Sequence, residues 1–346
     1  MSQDSQKKRA VVAFFGISGV MVRLATRSAS RRARAAEAVA TGPLGALSHD
    51  ELGVIFDGLA DPLEPVVAVA LSSTCVGLRT PLRAALEVLQ ERHVRAMALC
   101  HKMGKSLTGL RDATKLNWAC RSVTVDDMAT LGMILRTVGL PRLQDLALGF
   151  NGFRDAGMQA MCEGLGHGAA PSLVELDLGL AGLGPASAEA LAGALRRGAM
   201  PKLKILGFSH NPVGSQGMAA LAAPLRLLRG LKKLFLHSCH IGDQGVALLV
   251  ADLGKDDFRA LEDLGVSDNN IADVGAATLA AALDAGGLPK LTEEVTGYLR
   301  AGGGISLGGG APSPNSVSAA GIKAVSVALA KRSNAKDSDE DDEDDD

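Results

Sequence analysis

Aromatic residues are scarce in this sequence, whose 346 residues include eight Phe, one Trp and one Tyr. Proteins that hold single-stranded nucleic acid stack its bases on aromatic side chains in a basic groove, so this scarcity argues against that class. Other apolar residues are plentiful, because 47% of the chain is hydrophobic. Wholesale disorder is therefore excluded, and we expect a core built from Leu, Ala, Val and Met.

A disulfide framework is also disfavoured. The five cysteines are odd in number and form no C-x-x-C pair, a pattern that favours a reducing compartment. The tightest cluster of potential metal ligands is His237-Ser-Cys-His240. A structural zinc needs four ligands that converge on one point. We therefore predict a structural role for Cys239 and neither a metal nor a cofactor in the protein.

Charge is unevenly distributed, although the formal net charge is only −2. Residues 1–43 form a basic leader whose apolar run, residues 10–22, is shorter than the roughly 20 residues of a membrane-spanning helix. A poorly ordered leader, an organelle transit peptide and a signal peptide all remain open. Without such targeting we expect a cytoplasmic or nuclear protein. Residues 332–346 are predicted to be a disordered acidic tail.

A repeat of about 30 residues occupies the middle of the chain. Each unit opens with Leu-x-x-Leu-x-Leu or a close variant, has Asn or a small residue three positions later, and finishes with an apolar helical run. Five clear units begin at Leu143, Leu173, Leu203, Leu231 and Leu261. The pattern predicts a short strand with its leucines on one side, then an inward Asn and a helix. One unit cannot cover its own apolar face, whereas stacked units bury a continuous core.

An Asp-x-Gly step stands near the start of the predicted helix in three units, at Asp155, Asp243 and Asp273. Aspartate is a favourable N-cap, because its carboxylate accepts hydrogen bonds from the free N–H groups of a helix's first turn. We therefore predict that each aspartate caps the helix of its own unit.

The repeated units resemble the leucine-rich repeat family, and in particular its ribonuclease-inhibitor-like class. The resemblance implies an α/β solenoid, shaped as a horseshoe, with a strand and a helix in every repeat of about 28–30 residues. The clear units cover residues 143–290, and weaker units extend the array over residues 113–142 and 291–331.

Strand residues between the leucines are expected to point away from the core, onto the concave side of such a horseshoe. We call this surface the strand face. Its charges run acidic, basic and acidic with large apolar side chains between them, which suits a protein partner better than a phosphate backbone. The predicted partner-binding residues are Phe150, Glu175, Asp177, Leu180, Lys204, His210, Lys232, Lys233, Phe235, His237, Asp263 and Asp268. The alternative is an ordinary solvated surface, against which Phe150 and Phe235 argue because large apolar side chains are unusual on an open face.

Residues 44–112 are predicted to form short helices in front of the repeats, because apolar residues recur there at helical spacing. Their order resembles the F-box, the helical motif with which substrate receptors dock onto the Skp1-type adaptor of cullin-type ubiquitin ligases. The resemblance implies adaptor contacts at Leu52, Ile55, Phe56, Leu59 and Leu63. Ser48 and Leu78 depart from it, since the family usually has Pro and Trp there. A helical cap that seals the end of the repeats is the alternative.

The sequence contains no phosphate-binding G-x-x-x-x-G-K-[ST] motif, and the repeat frame brings no His, Ser and Asp set together. We therefore expect a non-enzymatic recognition module, with the role of ubiquitin-ligase substrate receptor as the leading hypothesis. A regulator of a small GTPase is a second hypothesis, because the Ran GTPase-activating proteins resemble this chain in joining such repeats to an acidic tail. A plain scaffold or inhibitor is a third.

Overall fold

The computed structural model describes residues 56, 59–73, 82–254, 256–299 and 314–340. The chain divides into two compact units, Met1–Arg111 and Asp112–Asp346. The first unit includes the helices α1 (Val66–Ser73), α2 (Arg83–Lys102) and α3 (Leu107–Arg111).

A small apolar core holds the first unit together. Phe56 is fully buried there, and Ala60, Ala68, Leu82 and Leu89 surround it. Burial of the Phe56 ring therefore serves the unit's own packing. Of the other residues for which the sequence predicts adaptor contacts, Leu63 is buried and Leu59 is half-buried, while Leu52 and Ile55 lie outside the described residues.

A polar cluster joins the end of α3 to the loop before α1. The guanidinium of Arg111 contacts the carboxylate of Asp61 and lies 2.7 Å from Oε2 of Glu64. On α2, Nδ1 of His93 lies 2.7 Å from the carbonyl oxygen of Pro62. These contacts bring α2 and α3 to the same loop.

The second unit is built on one parallel sheet of six strands in the order in which they occur along the chain. The strands are β1 (Lys115–Asn117), β2 (Asp145–Ala147), β3 (Glu175–Asp177), β4 (Ile205–Gly207), β5 (Lys233–Phe235) and β6 (Asp263–Gly265). The helices that follow them are α4 (Val125–Thr137), α5 (Arg154–Gly164), α6 (Pro185–Arg196), α7 (Gly214–Arg226), α8 (Gly242–Val250) and α9 (Asp273–Asp284). The predicted α/β solenoid with one strand and one helix per repeat is confirmed.

Leucine spacing sets the register of this sheet. The middle residue of every strand is a buried leucine, and these leucines pair directly across the sheet: Leu116, Leu146, Leu176, Leu206, Leu234 and Leu264. Behind them the helices pack through apolar and small residues. A Cβ atom at Gly164 would overlap the carbonyl oxygen of Gly132 on the preceding helix. Glycine is required there because the backbones of α4 and α5 touch.

Inward asparagines satisfy the backbone where the chain leaves each strand. In Asn211, Oδ1 accepts hydrogen bonds from the N–H groups of Ala181 and Leu183 at 3.1 and 3.0 Å. Its Nδ2 group donates to the carbonyls of Leu178 and Phe208 at 2.9 and 2.8 Å. The side chain therefore joins two repeats, and it is fully buried, as the sequence predicts.

The Asp-x-Gly aspartates do not cap their own helices, so that prediction is wrong. Helix α5 starts after Phe153, which places Asp155 inside the first turn rather than at the cap. The carboxylate instead accepts hydrogen bonds from the N–H groups of Gly184 and Ser187, at the start of the next helix, at 2.8 and 3.1 Å. Stacking brings the adjacent helix N-terminus within reach, so each aspartate links two repeats.

The same link recurs towards the end of the array. Asp243 accepts from the N–H groups of Ala272 and Gly275 at 2.7 and 2.9 Å. Asp273 accepts from the N–H group of Ser318 at 2.7 Å, just before the last helix. The starts of α6, α9 and the last helix are therefore capped from the repeat before.

The array closes with α10 (Glu294–Leu299), a segment that contains Asn315, and α11 (Ala319–Glu340). Asn315 accepts from the N–H groups of Asn269 and Ile271, so it takes the place that the inward asparagine holds in earlier units. Helix α11 ends within the segment for which the sequence predicts disorder, and residues 341–346 lie outside the described residues. No helix among the described residues is both long and apolar enough to cross a membrane.

Candidate protein-binding face

The sheet register aligns outward residues of all six strands in two rows across the strand face. The first row consists of Lys115, Asp145, Glu175, Ile205, Lys233 and Asp263. The second consists of Asn117, Ala147, Asp177, Gly207, Phe235 and Gly265. Five of the predicted partner-binding residues therefore occupy adjacent positions on one surface. Lys204 and Lys232, which directly precede β4 and β5, are exposed.

A third row lies at the corner where each chain segment turns from strand to helix. Its members all have left-handed backbones, with φ between 53° and 59°: Cys120, Phe150, Leu180, His210, Ser238 and Asp268. Aspartate tolerates this conformation, whereas bulky side chains such as Phe and Leu adopt it at a cost. The repeat imposes it, because the N–H groups of Phe150 and Leu180 donate to the next unit's carbonyls, at Gly179 and Ser209. Phe150 is held there with 51% of its surface exposed.

Opposite charges on the strand face are paired between neighbouring strands. Lys115 contacts Asp145, and Nζ of Lys232 lies 2.7 Å from Oε1 of Glu262. The hydrogen bond from Lys232 lowers the pKa of Glu262, and the hydrogen bond to Asp145 raises the pKa of Lys115. On this face, therefore, positive and negative side chains alternate and neutralise one another in pairs.

Three aromatic rings gather at the end of the strand face nearest β6. Those of Phe235 and His237 stack with centroids 5.9 Å apart and an interplanar angle of 21°. The ring of Tyr298, from α10, meets His237 edge-on at 5.0 Å and 68°. The imidazole also lies directly over Gly265, where any side chain would collide with it.

The surroundings of His237 favour its neutral form. Its Nδ1 atom accepts a hydrogen bond from the N–H group of Ser267 at 3.2 Å, which requires that nitrogen to be unprotonated. Burial lowers the pKa of His237, and the nearby carboxylates of Asp263 and Asp268 oppose that effect only in part.

Asp263 and Asp268 differ from the solvated carboxylates that the sequence pattern suggests. They are only 6% and 5% exposed. Helix α10 packs against β6 at this end of the sheet, which explains the burial of Asp263. Oδ2 of Asp263 lies 3.7 Å from Nζ of Lys233, whereas Oδ1 has no hydrogen-bond partner among the described residues.

The cluster of residues 237–240 is not built to hold a metal. Cys239 takes the asparagine position and is fully buried, with Sγ 3.3 Å from the carbonyl oxygen of Phe208. Burial raises the pKa of this thiol to about 12. His240 is exposed, while His237 belongs to the aromatic group. Within the described ranges, no group of three or more His, Cys, Asp or Glu side chains is placed to hold a metal ion.

Sequence comparison identifies the repeats. A family model described as Leucine Rich repeat matches residues 140–162, 169–192, 199–222 and 260–280. Residues 140–280 are therefore leucine-rich repeats, and β5 with α8 gives the unmatched unit between them the same construction. This fold is generally a non-enzymatic interaction fold, and it suggests protein partners. A search of curated proteins found no match.

Proposed function

We propose that this protein is a non-enzymatic recognition protein that binds a protein target on the strand face. The observation that carries the proposal is Phe150, an aromatic side chain held half exposed by a left-handed backbone. Burying such a side chain against a partner contributes about 1.5–3 kcal/mol. Leu180, the next residue in the corner row, is half-buried and extends the apolar patch.

The charges of the strand face favour a protein over a nucleic acid. A phosphate backbone is bound by a continuous track of basic side chains. Here the basic residues Lys232 and Lys233 lie beside the carboxylates of Glu262 and Asp263. Alternating charges around apolar side chains are typical of protein–protein interfaces.

Affinity capture with the full chain tests this function. The informative variant is Phe150→Asp, because the same corner position holds aspartate at Asp268 and the backbone should accept it. The matched control is Val274→Asp on α9, where an apolar side chain is 68% exposed away from the strand face. The proposal is supported if a target is retained by the wild type and by Val274→Asp but is lost by Phe150→Asp. Equal retention of every captured protein by both variants overturns it.

Within this function, we propose that the protein is a substrate receptor that recruits a Skp1-type adaptor through its first unit. The support is the order of the two parts, F-box-like helices followed by repeats of the ribonuclease-inhibitor-like class. Co-purification with the adaptor tests the role. Retention that is lost with Ile55→Asp and Leu59→Asp together supports it, whereas no retention, or retention unaffected by this double change, rules it out.

Regulation of a small GTPase is the second candidate role, because nine of the last ten residues are acidic and the Ran GTPase-activating proteins combine similar repeats with such a tail. A single-turnover GTP hydrolysis assay with Ran distinguishes the two roles. Acceleration above the unstimulated rate favours GTPase regulation, and the unstimulated rate excludes it. A scaffold or inhibitor would bind through the strand face and give neither result.

A further inference from the structure

The carboxylate of Asp263 lies at the β6 end of the strand face with an acceptor left unused. Its side chain is 7% exposed, and Oδ1 has no donor among the described residues. Within the described ranges its ion-pair partner is Lys233, but Nζ lies 3.7 Å from Oδ2, which is longer than a hydrogen bond. A buried carboxylate oxygen without a donor is costly, so this position is suited to receive a donor from a ligand.

Three aromatic side chains lie at the same end of the strand face as this carboxylate. Phe235 and Asp263 lie on paired strands, and the stacked ring of His237 joins Phe235 to Tyr298. The charge of Asp263 opposes the lowering of the pKa of His237 by burial. Burial raises the pKa of Tyr298, and the charge of Asp263 and a side-chain hydrogen bond with Asp263 raise it further. Ring faces next to a carboxylate attract a cation, and the neutral His237 adds no opposing charge.

The charges around Asp263 also favour a cationic ligand. The negative charge of Asp268, which is 5% exposed, favours the protonated form of His237, and that of Glu294 favours the protonated form of Tyr298. Among the described residues, Lys233 forms the ion pair with Asp263, and its side chain is 45% exposed. His210, the remaining neighbour that acts on His237, lies in the corner row. An anionic ligand would meet repulsion here, whereas a cationic one would be attracted.

We propose that Asp263, beside Phe235, His237 and Tyr298, receives a lysine or arginine side chain of the protein that binds the strand face. The inference rests on the proposed function and adds the chemistry of the partner: a basic side chain must project from its surface. That side chain donates to Oδ1 of Asp263 and lies against the rings, while the apolar patch at Phe150 covers a separate part of the partner.

A small cationic probe tests the site without the target. Tyr298 is the sole tyrosine of the chain, so the full-length protein labelled with ¹³C-tyrosine gives one ring signal that reports on this site. N-acetyl-arginine methylamide is the probe, and the neutral citrulline analogue is the control for shape. Sodium chloride at equal ionic strength controls for screening. We expect a saturable shift of the Tyr298 signal with the arginine probe and not with the citrulline analogue or salt.

Two variants locate the effect. Asp263→Asn keeps the size of the side chain and removes its charge, and it should weaken binding of the probe at least about ten-fold. The matched control is Asp145→Asn, which removes the equivalent carboxylate of the same row at β2, where Lys115 already occupies it, and it should bind the probe like the wild type. The inference is overturned by any of three results. The Tyr298 signal does not shift, it shifts equally with the arginine and citrulline probes, or the two variants weaken binding of the probe equally.

These outcomes are independent of the proposed function. A target that needs Phe150 can be captured although the arginine probe fails, and then only the cation site is wrong. Binding of the probe alongside unchanged capture by Phe150→Asp contradicts the proposed function and leaves a cation site that serves another ligand.

Discussion

Oδ1 of Asp155 accepts a hydrogen bond from the backbone N–H group of Gly184 at 2.8 Å, 29 residues further along the chain. The same oxygen also accepts from the N–H group of Ser187, at 3.1 Å. Helix α6 is therefore capped by the preceding repeat and not by its own sequence. Repeat proteins depend on the interfaces between neighbouring units, and this carboxylate is part of such an interface.

Replacing Asp155 should accordingly destabilise the array. Asp155→Ala removes the acceptor for two N–H groups at the start of α6, and we expect a loss of about 1–2 kcal/mol in the free energy of unfolding. Urea denaturation followed by circular dichroism measures it. The control is Glu189→Ala, an exposed acidic residue on the same helix, which should change stability by less than about 0.5 kcal/mol. Equal losses in the two variants would show that the cap is unimportant.

Protonation of His237 should make stability depend on pH. Burial lowers the pKa of His237 below its ordinary value of 6.5. As pH falls through that value, the unfolded chain therefore takes up a proton before the folded protein does, and the free energy of unfolding decreases. His237→Asn keeps an acceptor for the Ser267 N–H group but cannot titrate. We expect denaturation curves of this variant to lose less stability between neutral and mildly acidic pH than those of the wild type.

A matched substitution separates this effect from the general response to acid. His167→Asn alters an exposed histidine of the same unit. The wild type and His167→Asn should give similar pH profiles, with His237→Asn the shallower. A profile of His237→Asn as steep as that of the wild type would contradict a lowered pKa of His237 in the folded protein.

Thiol labelling should distinguish Cys120 from the other described cysteines. Cys120 is exposed, whereas Cys100, Cys162 and Cys239 are buried. Burial raises their pKa values to about 11, 12 and 12 respectively, so little reactive thiolate forms at neutral pH. In a Cys75→Ser background, a disulfide reagent should modify one thiol rapidly, and the other three only after denaturant is added. Rapid modification of a second thiol in the folded protein would refute this assignment.

Much of the second unit follows from the sequence, because its spacing carries the physics of the fold. Leucines two residues apart on a strand face the same side, so Leu146 and Leu148 had to be buried together. The asparagine position likewise follows from the need to pair the backbone as the chain leaves the strand, and Asn211 does so. Both features are local, which is why a repeat pattern is sufficient to predict them.

Other features depend on contacts between repeats, which the pattern of a single unit does not contain. The role of Asp155 requires the position of the next helix, and the burial of Asp263 requires α10, which enters from outside the regular strands. Tyr298 was missed for the same reason, since it belongs to the weak unit after Leu291. Its being the sole tyrosine in an aromatic-poor chain was the available signal.

The left-handed corner row was also missed, although it places Phe150 on the surface. Hydrogen bonds from the first five corners to the next repeat impose that backbone on whichever residue stands there. An amino-acid pattern shows a Phe at this position but not the φ of 58° that keeps its ring outside the core.

The central claim, that the strand face binds a protein, is tested most directly by calorimetric titration of a captured, purified target with the full chain and two variants. We predict that Phe150→Asp weakens binding by more than about ten-fold, the effect of losing a hot-spot aromatic residue, and that Val274→Asp on α9 binds as tightly as the wild type. Equal affinity of Phe150→Asp and the wild type, with both folded by circular dichroism, would contradict the account.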